Sequence, residues 1–453
     1  MFRYLSLLIS LLCMSLIYAN FSIFNFTVIC MKPENPENAV SVNETHVSPF
    51  SFYEESILFG VNSVGRIIGT LPAVKLFHLC GLKNSFTIFG VFSGLFTIAV
   101  PIIGGDFFVI FAHRVLQGIC LAAVFVAIGA IPNACGNHNE KSFFVSVLSC
   151  SFQLGPFFMM PISGFFCSSS LGWQGSYYFM GAATVAGFVL FHLFYRNTND
   201  VQKVSPKELS TPVELKSESC LKEFDQVQVA ISEPPKTTKP GKGLYLRMLT
   251  SPSFWGIAIV AFGDTIGYQL FLLYGPIYIN KVLGFEVRQT GLLSAIPHIC
   301  SITTKSLGGF FLDRATCVKE GLRYMLFTSV SQAAMTACFF FLTHITAEMA
   351  VVGQTMLTLI TVFSGLAFIG LMSASQIVNQ QHSHIASSVL SVQDSAAGLF
   401  LPIAVAFVAP NYATSEWVTV FNIIIGLLIA TNVLFLALTK IKPAEYTKEP
   451  AAN

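Results

Sequence analysis

Twelve long apolar segments, six before and six after one polar stretch from about Arg196 to Thr250, constrain this chain more than any other feature. A helix that crosses a bilayer needs ~20 apolar residues. Segments of that length recur at about 4–30, 53–75, 84–104, 106–132, 142–166, 173–195, 252–279, 289–312, 322–344, 346–371, 384–409 and 415–440. Their length, and the lack of strict polar/apolar alternation, make them helices rather than barrel strands. Composition agrees. Charged residues are 11% of the chain, where a soluble domain carries about 25%. The net charge of +2 implies no basic face for nucleic acid. The fold class expected is an all-α integral membrane protein with twelve transmembrane helices in two six-helix bundles.

The same pattern divides the chain into a six-helix bundle at 1–195, a linker at 196–250, a second bundle at 251–440 and a tail at 441–453. Leu5 to Met31 is too long for a signal-peptide core of ~7–15 residues and no small-residue cleavage site follows it, so it reads as the first span. With both termini cytoplasmic, the cytoplasmic side collects 19 Lys and Arg against three, Lys32, Lys281 and Arg288, on the other. That bias fits the positive-inside rule. The first outer loop then carries Asn43-Glu44-Thr45, a glycosylation sequon, whereas the sequons at Asn20 and Asn25 fall inside the first span. The eleven cysteines are scattered without metal-ligand spacing. Cys30 and Cys167 both fall near the outer face, where a disulfide is an option.

Five charges lie well inside the spans: Arg66, Arg114, Asp264, Lys305 and Asp394. Each costs ~2.5–3.5 kcal/mol at a helix centre, so they must pair or face a wet cavity. Arg114 is the leading anion-binding candidate, because guanidinium stays charged and binds carboxylate or phosphate bidentately. Gln117 shares its side of the helix. The alternative is that Arg114 pairs with Asp264 or Asp394. Asp264, with Tyr268 one turn on, is either such a partner or a proton carrier. Asp394, on a small polar face with Ser387, Ser391 and Gly398, carries a coupling ion or packs as a hydrogen-bonded residue. Lys305 snorkels to the interface or faces the cavity. His298 is a titrating or a packed histidine. Asn20, Asn25, Tyr274 and Tyr278 are candidates to line a cavity between the halves.

The halves echo each other weakly. Gly69 to Pro72 is followed by Lys75, Gly81 and Lys83 in the first half, and Gly308-Gly309 by Asp313-Arg314 in the second. A glycine-rich helix end and a charged tight turn in matching places point to a duplicated transporter. Gly309, Asp313 and Arg314 would latch neighbouring helices, or simply form a positive-inside loop.

Arg114 to Gly118 (Arg-Val-Leu-Gln-Gly), Gly155-Pro156, Pro161 to Gly164, Gly172-Trp173, Gly284 to Glu286 and Gly291 to His298 (Gly-Leu-Leu-Ser-Ala-Ile-Pro-His) carry a resemblance over nearly the whole chain outside the central stretch. The sequence resembles the major facilitator superfamily and, within it, the family of sialin, the vesicular glutamate transporters and the sodium–phosphate cotransporters. The resemblance implies that Arg114 is a central substrate-site residue. It also exposes departures. Asp264 stands where the family carries arginine and Asp394 where it usually carries asparagine. Arg66 stands where many members have an aromatic. Leu121 and Phe59 replace a coupling glutamate and a histidine.

The function expected is secondary active transport of a small organic or inorganic anion by alternating access, coupled to H+ or Na+. Arg114, Gln117, Asn20 and Tyr274 would bind substrate, and Asp264, Asp394 and His298 would couple the ion. Alternatives are transport of a neutral or cationic solute, and a non-transporting sensor or scaffold of the same fold. No soluble-enzyme motif or cofactor fingerprint is present in the sequence, so no enzyme activity and no cofactor are expected. The expected partners are the solute, the ion and the lipid bilayer, with the chain working as a monomer in the plasma membrane or an endolysosomal or vesicular membrane.

Overall fold

A computed structural model describes residues 2–31, 40–41, 47–135, 141–195, 247–314, 318–380 and 383–447. The sequon at Asn43 and the linker up to 246 lie outside the described residues. The membrane-length helices are α1 (Phe2–Thr27), α2 (Phe52–Phe77), α3 (Leu79–Ile103), α4 (Phe107–Cys135), α5 (Ser146–Cys167), α6 (Gly172–Phe194), α7 (Pro252–Val282), α8 (Val287–Arg314), α9 (Glu320–Leu342), α10 (Ala350–Asn379), α11 (Ser383–Val408) and α12 (Thr414–Leu438). A two-residue pairing of Val40–Ser41 with Val47–Ser48 is the described strand content.

Eleven of these helices are apolar enough to cross a membrane on hydropathy alone. The exception is α8, whose 28 residues suffice for a crossing but include Arg288, Lys305, Asp313 and Arg314. It is sheltered by packing on α5 and α10. Local chemistry sets several boundaries. A Ser51–Glu54 capping box starts α2, satisfying two orphan N–H groups, and Pro252 opens α7, where its missing N–H costs nothing. Between α2 and α3 the sequence suggests a charged loop. The helix instead runs on almost unbroken and turns at Gly81, with φ +75°, a value open to glycine at no steric cost. Helix α10 runs past its expected end to Asn379 and stops where Gln380 takes φ 41°.

Two halves, α1–α6 and α7–α12, meet unequally along their length. An even number of crossings puts the described chain ends, near Phe2 and Leu438, at one end of the bundle. At the opposite, distal end a single apolar cluster joins Phe24, Phe59, Met160 and Tyr177 of the first half to Tyr274, Phe339, Leu401 and Trp417 of the second. Towards the termini the core separates. One cluster holds Met14, Phe86, Leu121 and Phe188, and among the described residues Leu272 is its sole fully buried contribution from the second half. The others, around Val260, Leu371, Phe435, Tyr446 and Tyr324, belong to the second half alone.

The distal seam is built from α5 on α8 and α2 on α11. Where α5 crosses α8, a Cβ on Gly291 would meet the Met160 carbonyl at 2.7 Å, and one on Gly164 would meet Gly291 Cα at 3.1 Å. Only glycine admits that approach. Cys30 and Cys167 form a disulfide at the same end, Cα–Cα 5.9 Å, joining the ends of α1 and α5.

Candidate functional site

The site begins at the crossing of α2 and α4. Gly65 lies on the backbone of Val115, and Gly118 on that of Asn62. With no Cβ between them, the two helices pack closely, and each contributes one buried arginine, Arg66 from α2 and Arg114 from α4.

Arg114 is fully buried and spends its donors on the protein. Nε donates to the Leu58 carbonyl at 2.8 Å and Nη1 to the Phe21 carbonyl at 2.6 Å. Nη2 donates to Asn25 Oδ1 at 3.0 Å and to the Phe59 carbonyl at 3.3 Å. The guanidinium also lies over the Phe21 and Phe24 rings, 5.7 and 5.3 Å from their centroids. Arg114 therefore ties α1, α2 and α4 together, and the alternative of a pairing with Asp264 or Asp394 is not what the structure shows. The physical reason is geometric: its fork is filled by carbonyls of its own half.

Asp394 pairs instead with Arg66, Nη1 to Oδ2 2.7 Å, across the two halves. Gln269 Nε2 donates to Asp394 Oδ1 and to its carbonyl, both at 2.8 Å. The two partners are unequally covered, the Arg66 side chain being 9% exposed and that of Asp394 37%. Arg66 also lies over the Phe125 ring at 5.5 Å. Around the pair is a cavity of about 40 Å³ lined by Tyr18, Asn62, Ser63, Tyr268 and Gly398 as well as Gln269. It can hold a water or two. Two of the lining residues, Arg66 and Asn62, also hold buried donors, Nε and Nδ2, with no hydrogen-bond partner among the described residues.

A second polar cluster sits inside the second half. Ser364 Oγ donates to Asp264 Oδ2 at 3.2 Å, while Oδ1 has no partner among the described residues. Lys305 neither snorkels away nor reaches Asp264 as a close ion pair. Its stem packs on Gly365 and its Nζ sits 5.2 Å from the Phe368 centroid, near enough to Asp264 and to Cys150 of α5 for electrostatic interaction.

Other candidates fall elsewhere. Gln117, expected beside the substrate, faces α3: Nε2 donates to the Ser93 carbonyl at 2.9 Å and to Thr97 Oγ1 at 2.7 Å, and Oε1 accepts from Ser93 Oγ at 2.7 Å. At 3.6 residues per turn, a three-residue step leaves its side chain about 60° away from that of Arg114, enough to turn it inward. Asn20 likewise donates to Ser93 and Thr184, between α1, α3 and α6, rather than to the cavity. Asn25 reaches the seam, donating to the Leu272 carbonyl at 3.4 Å. Tyr274 does lie at the seam, but in the apolar distal cluster, its ring 5.0 Å from Phe59. Tyr278 packs on Trp417 and Phe421. His298 is fully buried against Phe271, and neither ring nitrogen has a hydrogen-bond partner among the described residues.

Of the expected latch, Gly309 faces open space and it is Gly308 that meets Leu366. Arg314 is at the exposed end of α8, and the side chain of Asp313 lies outside the described residues. The residues described include no cluster that could hold a metal ion.

Sequence reasoning missed one contact of the seam. Tyr412, between α11 and α12, donates to Glu55 Oε2 of α2 at 2.7 Å, edge-on to Phe52. A buried acid at a helix start was the available sign.

The Major Facilitator Superfamily model matches residues 10–384. The chain belongs to that superfamily. Within it, the chain is similar to curated members of the sialin, vesicular glutamate and sodium–phosphate transporter family. It is 23% identical over 381 residues to Sialin of Ovis aries, covering 83% of this chain and 73% of that one. It is 25% identical over 283 residues to Sodium-dependent phosphate transport protein 1 of Oryctolagus cuniculus, covering 61% and 57%. The match spans 47%, 64% and 57% of the length of three of these curated relatives. The solved D-xylose-proton symporter shares the fold, with TM-score 0.69 and 13% identity over 96% of this chain and 98% of that one. By family and fold this is a multi-pass membrane protein of the major facilitator superfamily.

Proposed function

We propose that this major facilitator protein carries a small organic or inorganic anion across its membrane by alternating access, coupled to a proton or sodium gradient. The observation that carries the reading is Arg66. It is a guanidinium lining a cavity between the two halves together with Asn62, and Arg66 Nε and Asn62 Nδ2 are both unpartnered among the described residues. Such donors call for an acceptor, and an anionic one suits a charge that must otherwise be neutralised inside the membrane. Arg114, its donors occupied, adds positive potential behind the cavity and holds α1 and α2 in place. The relatives whose names specify phosphate, glutamate or sialic acid supply the substrate class to try first.

Units 1–195 and 251–440 are the bodies that rock. The shared distal core and the divided core at the other end support a state closed distally and open towards the termini. With the basic bias on the termini side and the disulfide at the distal end, as an oxidising compartment favours, the open side is cytoplasmic. The distal side is extracellular or the lumen of an endolysosomal or vesicular compartment, and the chain acts as a monomer.

The test is uptake of labelled inorganic phosphate, L-glutamate and sialic acid into proteoliposomes, with and without proton and sodium gradients. Gradient-driven uptake is expected for at least one anion, with a loss of tenfold or more per folded protein in Arg66→Gln. No anion uptake by wild type under any gradient would sink the reading. The unpartnered Oδ1 of buried Asp264 favours one competitor, transport of a cation, for which inhibition by organic cations and not by anions would be decisive.

A further inference from the structure

We propose that Asp394 is a tethered stand-in for the substrate: the anionic group of the solute takes its place on Arg66, and the displaced Asp394 carboxylate takes up a proton. This exchange rests on the anion reading and assigns the coupling step within it. Three observations meet here. The pair bridges α2 and α11, so it also fastens the two halves. Asp394 is the more exposed partner, while Arg66 is nearly covered. And Arg66 and Asn62, which line the cavity, each hold a buried donor, Nε and Nδ2, unpartnered among the described residues.

A carboxylate or phosphate oxygen arriving there is chemically equivalent to the oxygen it replaces on Arg66, with the unpartnered Arg66 Nε and Asn62 Nδ2 buried close behind. The arginine stays neutralised throughout. What changes is Asp394, which loses its cation and is left among uncharged groups. The groups that face it are Arg66 on α2, Tyr18 on α1 and Tyr268 on α7, with Gln269 Nε2 donating to it. Both tyrosines are weak acids and offer no positive charge. A carboxylate that loses its close cation binds a proton more readily. The proton comes from water at the open end and adds to one Asp394 oxygen; no other bond is made or broken. One event thus loads the anion, loads the proton and breaks the pair between α2 and α11, which re-forms once both have left.

The design also explains the departures from family pattern as one change rather than two. An arginine on α2 and an acid on α11 form a working pair only if both are present, and here both are.

The experiment uses the full chain in proteoliposomes with labelled inorganic phosphate and L-glutamate. Two assays are run: uptake driven by a pH gradient, and exchange against unlabelled anion at equal pH on both sides. Asp394→Asn keeps the side-chain shape and can still accept from Gln269. It is expected to lose stimulation by the pH gradient while exchange continues with KM lowered several-fold, because the internal competitor is gone. Arg66→Gln is expected to lose both assays. Arg66→Gln/Asp394→Asn, which buries no unpaired charge, should regain the thermal stability lost in Arg66→Gln without regaining exchange. Gradient stimulation and KM both unchanged in Asp394→Asn would overturn the exchange while leaving anion transport standing. Uptake absent in wild type would remove the anion reading and this step together.

Discussion

The two ends of this molecule are built on different terms. At the distal end the halves share one aromatic core, two glycines bring α5 and α8 into backbone contact, and Tyr412 reaches across to Glu55. At the termini end each half keeps its own core. The difference teaches where separation would be cheap: on the proposed alternating-access cycle the halves part at the termini end, where they share little apolar surface. Arg114 and Arg66 repeat the contrast on a smaller scale. The first is locked within one half; the second is held by a single ion pair to the other half, with its Nε unpartnered among the described residues.

The sharpest way to break that contrast is to unlock Arg114. Arg114→Gln leaves carbonyls of α1 and α2 without their donor. Hydrogen bonds to charged groups contribute ~1.5–3 kcal/mol each, so a loss of about 3 kcal/mol in thermal or denaturant stability is expected, with Arg114→Lys recovering part of it. A stability within about 0.5 kcal/mol of wild type, the range of an ordinary surface substitution, would mean that the fork is not structural.

Next comes the seam itself. Gly291→Leu places a side chain where the Met160 carbonyl stands 2.7 Å from an ideal Cβ. Overpacking of this kind costs ~1–3 kcal/mol, or roughly five- to 150-fold in the equilibrium between distally closed and distally open states. Transport should fall accordingly, and hydrogen exchange should quicken at the distal ends of α5 and α8. Unchanged exchange there, in a folded variant, would show that the glycine contact does not hold the end shut.

Much of this architecture was legible in the chain. Apolar runs gave twelve candidate spans, the eighth at 289–312 included, although α8 falls short of a crossing on hydropathy alone. The latent difficulty lay in direction rather than location. Gln117 is one short helical step from Arg114, yet that step sends it to Ser93 and Thr97. Arg66 and Asp394 were both visible as intramembrane charges, but they lie in opposite halves of the chain, and nothing local says that α2 faces α11. Helix periodicity reports which residues share a face; it does not report which helix that face meets. The carbonyls that occupy Arg114 were invisible for the same reason, since every residue has one.

The contact at Tyr412 gives a smaller and cleaner test. Tyr412→Phe removes one hydrogen bond to the buried Glu55 and no apolar area, at about 1–2 kcal/mol. A modest shift towards the distally open state should follow, read as faster exchange at the start of α2. Burial, with the Glu55 carboxylate next to it, pushes the Tyr412 phenol well above its ordinary value. A group that holds its proton more tightly in the closed state contributes fully below its ordinary pKa and loses the contribution as pH rises beyond it. Through this tyrosine, distal closure should therefore be flat up to about pH 10 and weaken only above it. Weakening of the Tyr412-dependent part of closure between pH 7 and 9 would mean that the phenol is not held in its protonated form.

The smallest effect expected concerns the ring rather than the hydroxyl. Lys281 Nζ lies 4.8 Å from the Tyr412 centroid, and both residues belong to the distal rim. A cation over an aromatic face contributes ~0.5–1 kcal/mol at an accessible site, less than the hydrogen bond and independent of it. Lys281→Met keeps the aliphatic stem against the ring and removes only the charge. The two substitutions should then add, because one acts on the face of the ring and the other on its edge. A double-mutant cycle of Lys281→Met with Tyr412→Phe, read by the same exchange rates, should give a coupling near zero, since phenylalanine presents the same face to the cation. Coupling above about 0.5 kcal/mol would show that the lysine acts through the Glu55 hydrogen bond instead, and that the distal rim is one charged network rather than a set of separate contacts.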